Sequence, residues 1–215
     1  MRARIKICCI ASVEEARLAV AAGVDALGLV GAMPSGPGVI DDKTAAEIAR
    51  ATPPPVATFL LTSREAPDDV VAHVLDVGPT AVQLVRHVDV AVHEALARRA
   101  PHVKRVQVIH VEGPASEGLV ERYAPHADAF LLDSGSPDAD VLGGTGRAHD
   151  WEVSARIVAA SPRPVFLAGG LRPDNVAAAL ARVRPFGVDV CSGVRTDFVL
   201  DPVKLDALVR AVRAS

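Results

Sequence analysis

Aromatic residues are scarce: five Phe, one Tyr and one Trp supply 3% of 215 positions. A core has to be filled by Val, Ala, Leu and Ile instead, which suits small, tightly layered βα units, and half of the chain is hydrophobic. Cysteine is also rare. With three of them, two adjacent at Cys8 and Cys9, a disulfide framework is excluded and the thiols are read as free. Neither sign of charge dominates, since 23 basic and 26 acidic residues leave a net charge of −3. They are dispersed along the chain, so no electrostatic footprint for nucleic acid is visible. No apolar run approaches the ~18–20 residues that cross a bilayer. The short apolar segment after Arg2, Arg4 and Lys6 runs straight into Glu14 and Glu15, unlike a signal peptide. Linkers and low-complexity runs are missing too. The expectation is one domain over residues 1–215, cytoplasmic, with no nucleic-acid or membrane partner.

What is present is a regular alternation. Short apolar, β-branched runs predict strands at Ile5–Ile10, Ala26–Val30, Pro55–Leu61, Ala81–Arg86, Arg105–Val111, Ala129–Asp133, Pro164–Ala168 and Val188–Cys191. Amphipathic segments predict helices at Val13–Ala22, Asp42–Ala51, Pro67–Val77, Val90–Ala100, Glu117–Ala124, Trp151–Ala160, Pro173–Val183 and Pro202–Ala214. Ser12 stands three residues before Glu15 as in a capping box, and Arg172 and Asp201 precede prolines at the favoured first helical position. Repeated βα units of this number and length predict an α/β chain folded as a single-domain (β/α)8 TIM barrel. An open doubly wound sheet would carry a G-x-G-x-x-G turn after its first strand, where this chain has "CCIAS".

In such a barrel the chemistry sits at the carboxyl ends of the strands. At the end of the first, alternation allows only one of Cys8 and Cys9 to face the interior; the other is expected to pack outside against helices. The sixth strand ends in Asp133 after an unbroken apolar run, and a carboxylate there has to be paired, used or spent capping a loop. Three glycine-bearing loops follow: Gly143, Gly144, Thr145 and Gly146, then Gly169 and Gly170, then Ser192 and Gly193. Backbone N–H groups in such loops approach an anion closely, and the loops after the seventh and eighth strands of this fold are its usual phosphate site. No metal site is expected, because His73, His93 and His102 fall on predicted helices or their ends without ligand-like spacing. His87 and His110 lie nearer the mouth and read as solvated loop residues.

Taken in order, "KICCI", "GVDALGLV", "AVQLV", "DAFLLDS", "GGTGRAHDW", "LAGGLRPDNV" and "GVDVCSGV" resemble the phosphoribosylanthranilate isomerase family of tryptophan biosynthesis over nearly the whole chain. The resemblance implies a barrel without metal or organic cofactor that binds a phosphorylated small molecule, as a monomer or homodimer. It also implies an Amadori rearrangement, an aldose-ketose type of isomerisation, with Cys8 as general base and Asp133 as general acid. The glycine loops, Gln83 and Arg86 would contact substrate.

Three departures from the family pattern stand out. Its K-I-C-G reads Lys6-Ile7-Cys8-Cys9, and the arginine of its S-P-R loop, which helps hold the anthranilate carboxylate, is Gly38 or a near neighbour. Its Q-L-H-G reads Gln83-Leu84-Val85-Arg86, so the histidine is Val85. Arg64 and Arg86 are the nearest replacement cations. Arg195 stands where the family often has an acid, either adding charge beside the phosphate or facing water. Alternatives to the family's reaction are isomerisation of another phosphorylated aldosylamine, or a phosphate-binding barrel without turnover.

Overall fold

The alternating runs resolve into a closed barrel of eight parallel strands, in a computed structural model that describes residues 2–34, 36–113, 115–133 and 151–215. The strands are β1 (Arg4–Ile7), β2 (Ala26–Val30), β3 (Ala57–Thr62), β4 (Ala81–Leu84), β5 (Lys104–His110), β6 (Ala129–Asp133), β7 (Val165–Leu167) and β8 (Gly187–Val190). Each pairs with the next in sequence, and β8 closes onto β1 with Ile7 opposite Val190. Helices α1 (Val13–Ala22), α2 (Asp42–Ala51), α3 (Pro67–Val77), α4 (Val90–Arg99), α5 (Ser116–Tyr123), α6 (Trp151–Ala160), α7 (Val176–Val183) and α8 (Pro202–Arg213) follow the strands in turn.

Local chemistry sets the ends of these elements. The Ser12 side chain accepts from the Glu15 N–H at the start of α1, and Asp201 accepts from Val203 and Lys204 at the start of α8. The start expected at Pro173 moves to Val176. There Asn175 accepts from the Arg172 N–H and donates to the Gly170 carbonyl, so residues 173–175 form a turn that ties the loop after β7. A two-stranded hairpin, β9 (Arg195–Thr196) and β10 (Val199–Leu200), was not foreseen.

Two cores follow from the period-2 alternation of the strands. Ile5, Ile7, Leu27, Leu29, Val82 and Leu84 face the helices, whereas Ala26, Val30, Ala81, Val85, Val106 and Val108 fill the barrel. Lys6 shares the inward parity and has no exposed surface; its Nζ donates to Asp189 Oδ2 at 2.7 Å. Burial pulls the Lys6 ammonium toward the neutral form, but attraction to Asp189 and to the Cys8 sulfur outweighs it, so its pKa is raised.

Removing one partner of a buried pair leaves the other uncompensated. Lys6→Met is therefore expected to cost about 3–5 kcal/mol of unfolding free energy in urea titration, and Lys6→Met combined with Asp189→Leu to recover most of it. A Lys6→Met variant as stable as the parent would refute this account of the pair.

Candidate active site

The strand that carries the paired cysteines ends at Ile7, before them, and this shapes the mouth of the barrel. The Cys8 N–H still bonds the Val190 carbonyl at 2.9 Å, and Cys8 keeps the inward parity of Lys6. Cys9 then takes φ of 65°, in the left-handed region, at a cost of about 1–2 kcal/mol for a residue with a side chain. This turn overturns the expectation that Cys9 packs outside. Alternation no longer applies past Cys8, and Cys9 joins Cys8 and Cys191 in the interior cluster and in the wall of one cavity.

Arg195 holds the turn in place. Its Nη2 reaches the Cys8 and Cys9 carbonyls at 3.2 and 2.5 Å, and its two terminal nitrogens face the two Glu15 oxygens at 3.0 and 3.1 Å. Burial opposes the Glu15 carboxylate, yet the Arg195 guanidinium and the Leu200 and Ala11 N–H groups prevail and lower its pKa. The arginine neither faces water nor joins the cavity that Cys8 lines: it ties the end of β1 to α1 and the β9–β10 hairpin.

Two glycines define what surrounds the thiols. A Cβ on Gly28 would lie 2.9 Å from the Cys8 sulfur and 3.0 Å from Lys6 Nζ, so only glycine lets both groups fit against β2. A Cβ on Gly38 would lie 2.4 Å from the Cys9 Cβ. Positions 9 and 38 therefore compete for one space, because the Cys9 side chain fills what a side chain at 38 would need. Hydrogen bonds with Cys191 and then Cys8, followed by burial, raise the pKa of Cys9 and keep it a thiol; Cys191, bonded to Cys9, shifts the other way. Cys9 also points its sulfur at the Pro37 carbonyl, 3.5 Å away.

Across the mouth, Asp133 ends β6 and lines the same cavity, opposite His110 in the β5–β6 register. His110 is not a solvated loop residue: it closes β5 and is 2% exposed, with Nε2 2.9 Å from the Val85 carbonyl and Nδ1 unpartnered. Its position in the run Val106, Val108, His110 gives it inward parity, a signal present in the sequence. Gln83 lies on the wall, 4% exposed with an unpartnered Oε1. Arg64 and Arg86 are engaged elsewhere, with Asp42 at 3.1 Å and Glu65 at 3.3 Å, and neither lines the cavity. His73 bonds Thr62 and Asp42 at 3.0 Å and His93 bonds Gln107 at 3.0 Å, which makes both of them structural.

Gly169, Gly170 and Ser192 complete the wall on the β7–β8 side. Gly193 packs so closely on the loop after β7 that a Cβ there would sit 2.0 Å from the Leu171 carbonyl oxygen. Gly143, Gly144, Thr145 and Gly146 lie outside the described residues. The space in the cavity and its mouth, open to solvent, amounts to about 770 Å³. The fold brings a thiol from the β1 end and a carboxyl group from the β6 end into the wall of this one space, together with glycine-rich loops after β7 and β8 and the apolar side chains of Met33, Leu61, Val85 and Val108.

Comparison with known proteins converges on one family. The profile described as N-(5'-phosphoribosyl)anthranilate (PRA) isomerase matches residues 5–211. N-(5'-phosphoribosyl)anthranilate isomerase 2 of Methanosarcina mazei is 38% identical over 195 residues, covering 89% of this chain and 85% of its own. The isomerase of Natronomonas pharaonis is 41% identical over 195 residues, with 90% and 89% covered. Among solved structures, the Thermotoga maritima phosphoribosyl anthranilate isomerase superposes with a TM-score of 0.84 at 28% identity over 99% of this chain and 100% of that one. An isomerase in complex with reduced 1-(o-carboxyphenylamino)-1-deoxyribulose 5-phosphate superposes with a TM-score of 0.81 at 26% identity over the same shares.

The contact between positions 9 and 38 is testable by a double-mutant cycle. Gly38→Ala is expected to cost about 2–4 kcal/mol, from left-handed strain plus overpacking against Cys9. In a Cys9→Gly background the 2.4 Å contact disappears and only the residue-9 Cα stays close, at 3.0 Å, so the two changes should couple by at least about 1 kcal/mol in urea unfolding. Additivity within about 0.5 kcal/mol would show that the two residues do not compete for space.

Proposed function

The chain belongs to the N-(5'-phosphoribosyl)anthranilate isomerase family, and we propose that Cys8 and Asp133 are the general base and general acid of its reaction. That reaction converts the aldosylamine N-(5'-phosphoribosyl)anthranilate into the ketosamine 1-(2-carboxyphenylamino)-1-deoxyribulose 5-phosphate. It moves protons and leaves the count of electrons on the substrate unchanged, so two correctly placed side chains can carry it. The observation that supports the reading most is their placement: Cys8 after β1 and Asp133 at the end of β6 line one cavity from different walls.

The order of events follows from the bonds involved. Ring opening breaks the bond between C1′ and the ring oxygen, as the anilino nitrogen forms an iminium and the oxygen takes a proton from Asp133. The iminium acidifies C2′–H, and the Cys8 sulfur takes that proton from the other side. The resulting enolamine becomes the ketone when C1′ gains a proton and the 2′-hydroxyl loses one. A thiolate is suited to this step while the substrate is cationic, and the buried Lys6 ammonium lies on the same wall.

The loops at Gly169–Gly170 and Ser192–Gly193 receive the 5′-phosphate on the β7–β8 side, the position this fold uses for phosphate. That orientation directs the anthranilate ring toward Met33, Leu61, Val85 and Val108. Gln83, on the barrel wall below Val85, is in reach of the sugar between the two ends. Arg86 contributes no contact while it is bonded to Glu65.

Cys8→Ala and Asp133→Asn are each expected to lower kcat by a factor of about 10²–10⁴, the usual contribution of one general acid or base. The affinity for the reduced product analogue should stay within about tenfold, since phosphate contacts and ring packing are untouched. Retention of more than half of the parental kcat by either variant would remove that residue from the mechanism.

A further inference from the structure

The substrate's aromatic carboxylate needs a partner, and the wall that faces it is apolar. Burying an ion without a hydrogen-bond donor is costly. Arg64 and Arg86, the cations nearest in sequence, are committed to Asp42 and Glu65 outside the cavity wall. Gly38 has no side chain, and Val85 offers two methyl groups. Among the described residues of the β3–β5 wall, the polar side chains are Gln83 and His110. Gln83 sits one interior position below Val85, toward the barrel centre, whereas His110 stands beside Val85 at the rim.

We propose that His110 is a specificity-determining residue that receives the anthranilate carboxylate, an assignment that rests on the reading of the site given above. His110 is 2% exposed and its Nε2 is bonded to the Val85 carbonyl, so packing and that bond fix the side chain. The Val85 carbonyl can only accept, so Nε2 carries a proton and donates to it across 2.9 Å. That leaves Nδ1 as the ring nitrogen without a partner. A buried polar atom with no partner is rare enough to need an explanation, and a ligand that supplies one is such an explanation. A carboxylate placed at Nδ1 would share the ring with the Val85 carbonyl, one partner at each nitrogen. The ionisable groups that face the ring are Asp133 on β6, His87 after β4, 5.5 Å away between ring centres, and Glu112 beyond β5.

This arrangement gives the pocket a preference for a carboxyl group without an arginine. It also predicts that selectivity for the carboxylate and the acid–base machinery are separable.

The test is binding of two inert ligands: the reduced product analogue, and its phenylamino counterpart lacking the carboxyl group. The parent protein is expected to bind the first at least about tenfold more tightly, the usual value of a charge-assisted hydrogen bond. In His110→Phe that ratio should fall to within about threefold of one, while affinity for the phenylamino ligand changes little. Cys8→Ala should keep the parental ratio. His110→Asn, which retains a donor for the Val85 carbonyl, decides the matter in the same way if the phenylalanine variant does not fold. A ratio that survives both changes at His110, or that collapses in Gln83→Leu instead, overturns the assignment. A parent protein that binds both ligands equally also overturns it, while the reading of Cys8 and Asp133 stands. Failure of the parent to bind either ligand overturns both together.

Discussion

Everything at the mouth of this barrel depends on where β1 stops. The strand ends at Ile7, Cys8 still points inward, and Cys9 turns into the left-handed region, where a side chain is unfavourable. The turn persists because Arg195 binds both cysteine carbonyls and is itself fixed by Glu15 at the start of α1. Breaking this buried pair would cost about 3–5 kcal/mol, more than the local strain of about 1–2 kcal/mol that it holds. From that one arrangement follow the inward sulfur of Cys8, the contact of Cys9 with Cys191, and the space at Gly38 being already filled.

Beneath the thiols lies a second constraint of the same kind. Lys6 and Asp189 are neighbours in the β1–β8 register and form an ion pair inside an interior whose apolar lining is mainly Val, Ala, Leu and Phe. Such a pair contributes little net stability compared with well-packed hydrophobes, although breaking it is expensive. Its consequence is electrostatic: a fixed ammonium on the wall that Cys8 occupies, with Gly28 leaving room for both. The wall that carries Cys8 is thus held by polar contacts, and the wall of Leu61, Val85 and Val108 mainly by apolar packing.

Much of this was legible in the sequence. The strand and helix spacing gave the barrel, because each short apolar run is punctuated by turn chemistry and followed by an amphipathic segment. Cys8 and Asp133 were identified through motifs at strand ends, and the structure places both on one cavity. What could not be read was three-dimensional compensation. That Cys9 fills the space beside Gly38 depends on a contact across 29 positions, and Arg195 pairs with Glu15 across 180. The strand-end error at Cys9 has a simple cause: alternation predicts a side only while the residue remains extended, and nothing in "KICCI" marks the left-handed turn. The misreading of His110 was avoidable, since it continues the inward parity of Val106 and Val108.

The central claim is that a barrel lacking the arginine and histidine of the family's aromatic pocket still performs the family's rearrangement with Cys8 and Asp133. Steady-state turnover of freshly generated N-(5'-phosphoribosyl)anthranilate by the purified protein tests it most directly. The account predicts kcat in the ordinary enzymatic range, roughly 1–10³ s⁻¹. A folded protein that binds the reduced product analogue and yet leaves the substrate unconverted would contradict it.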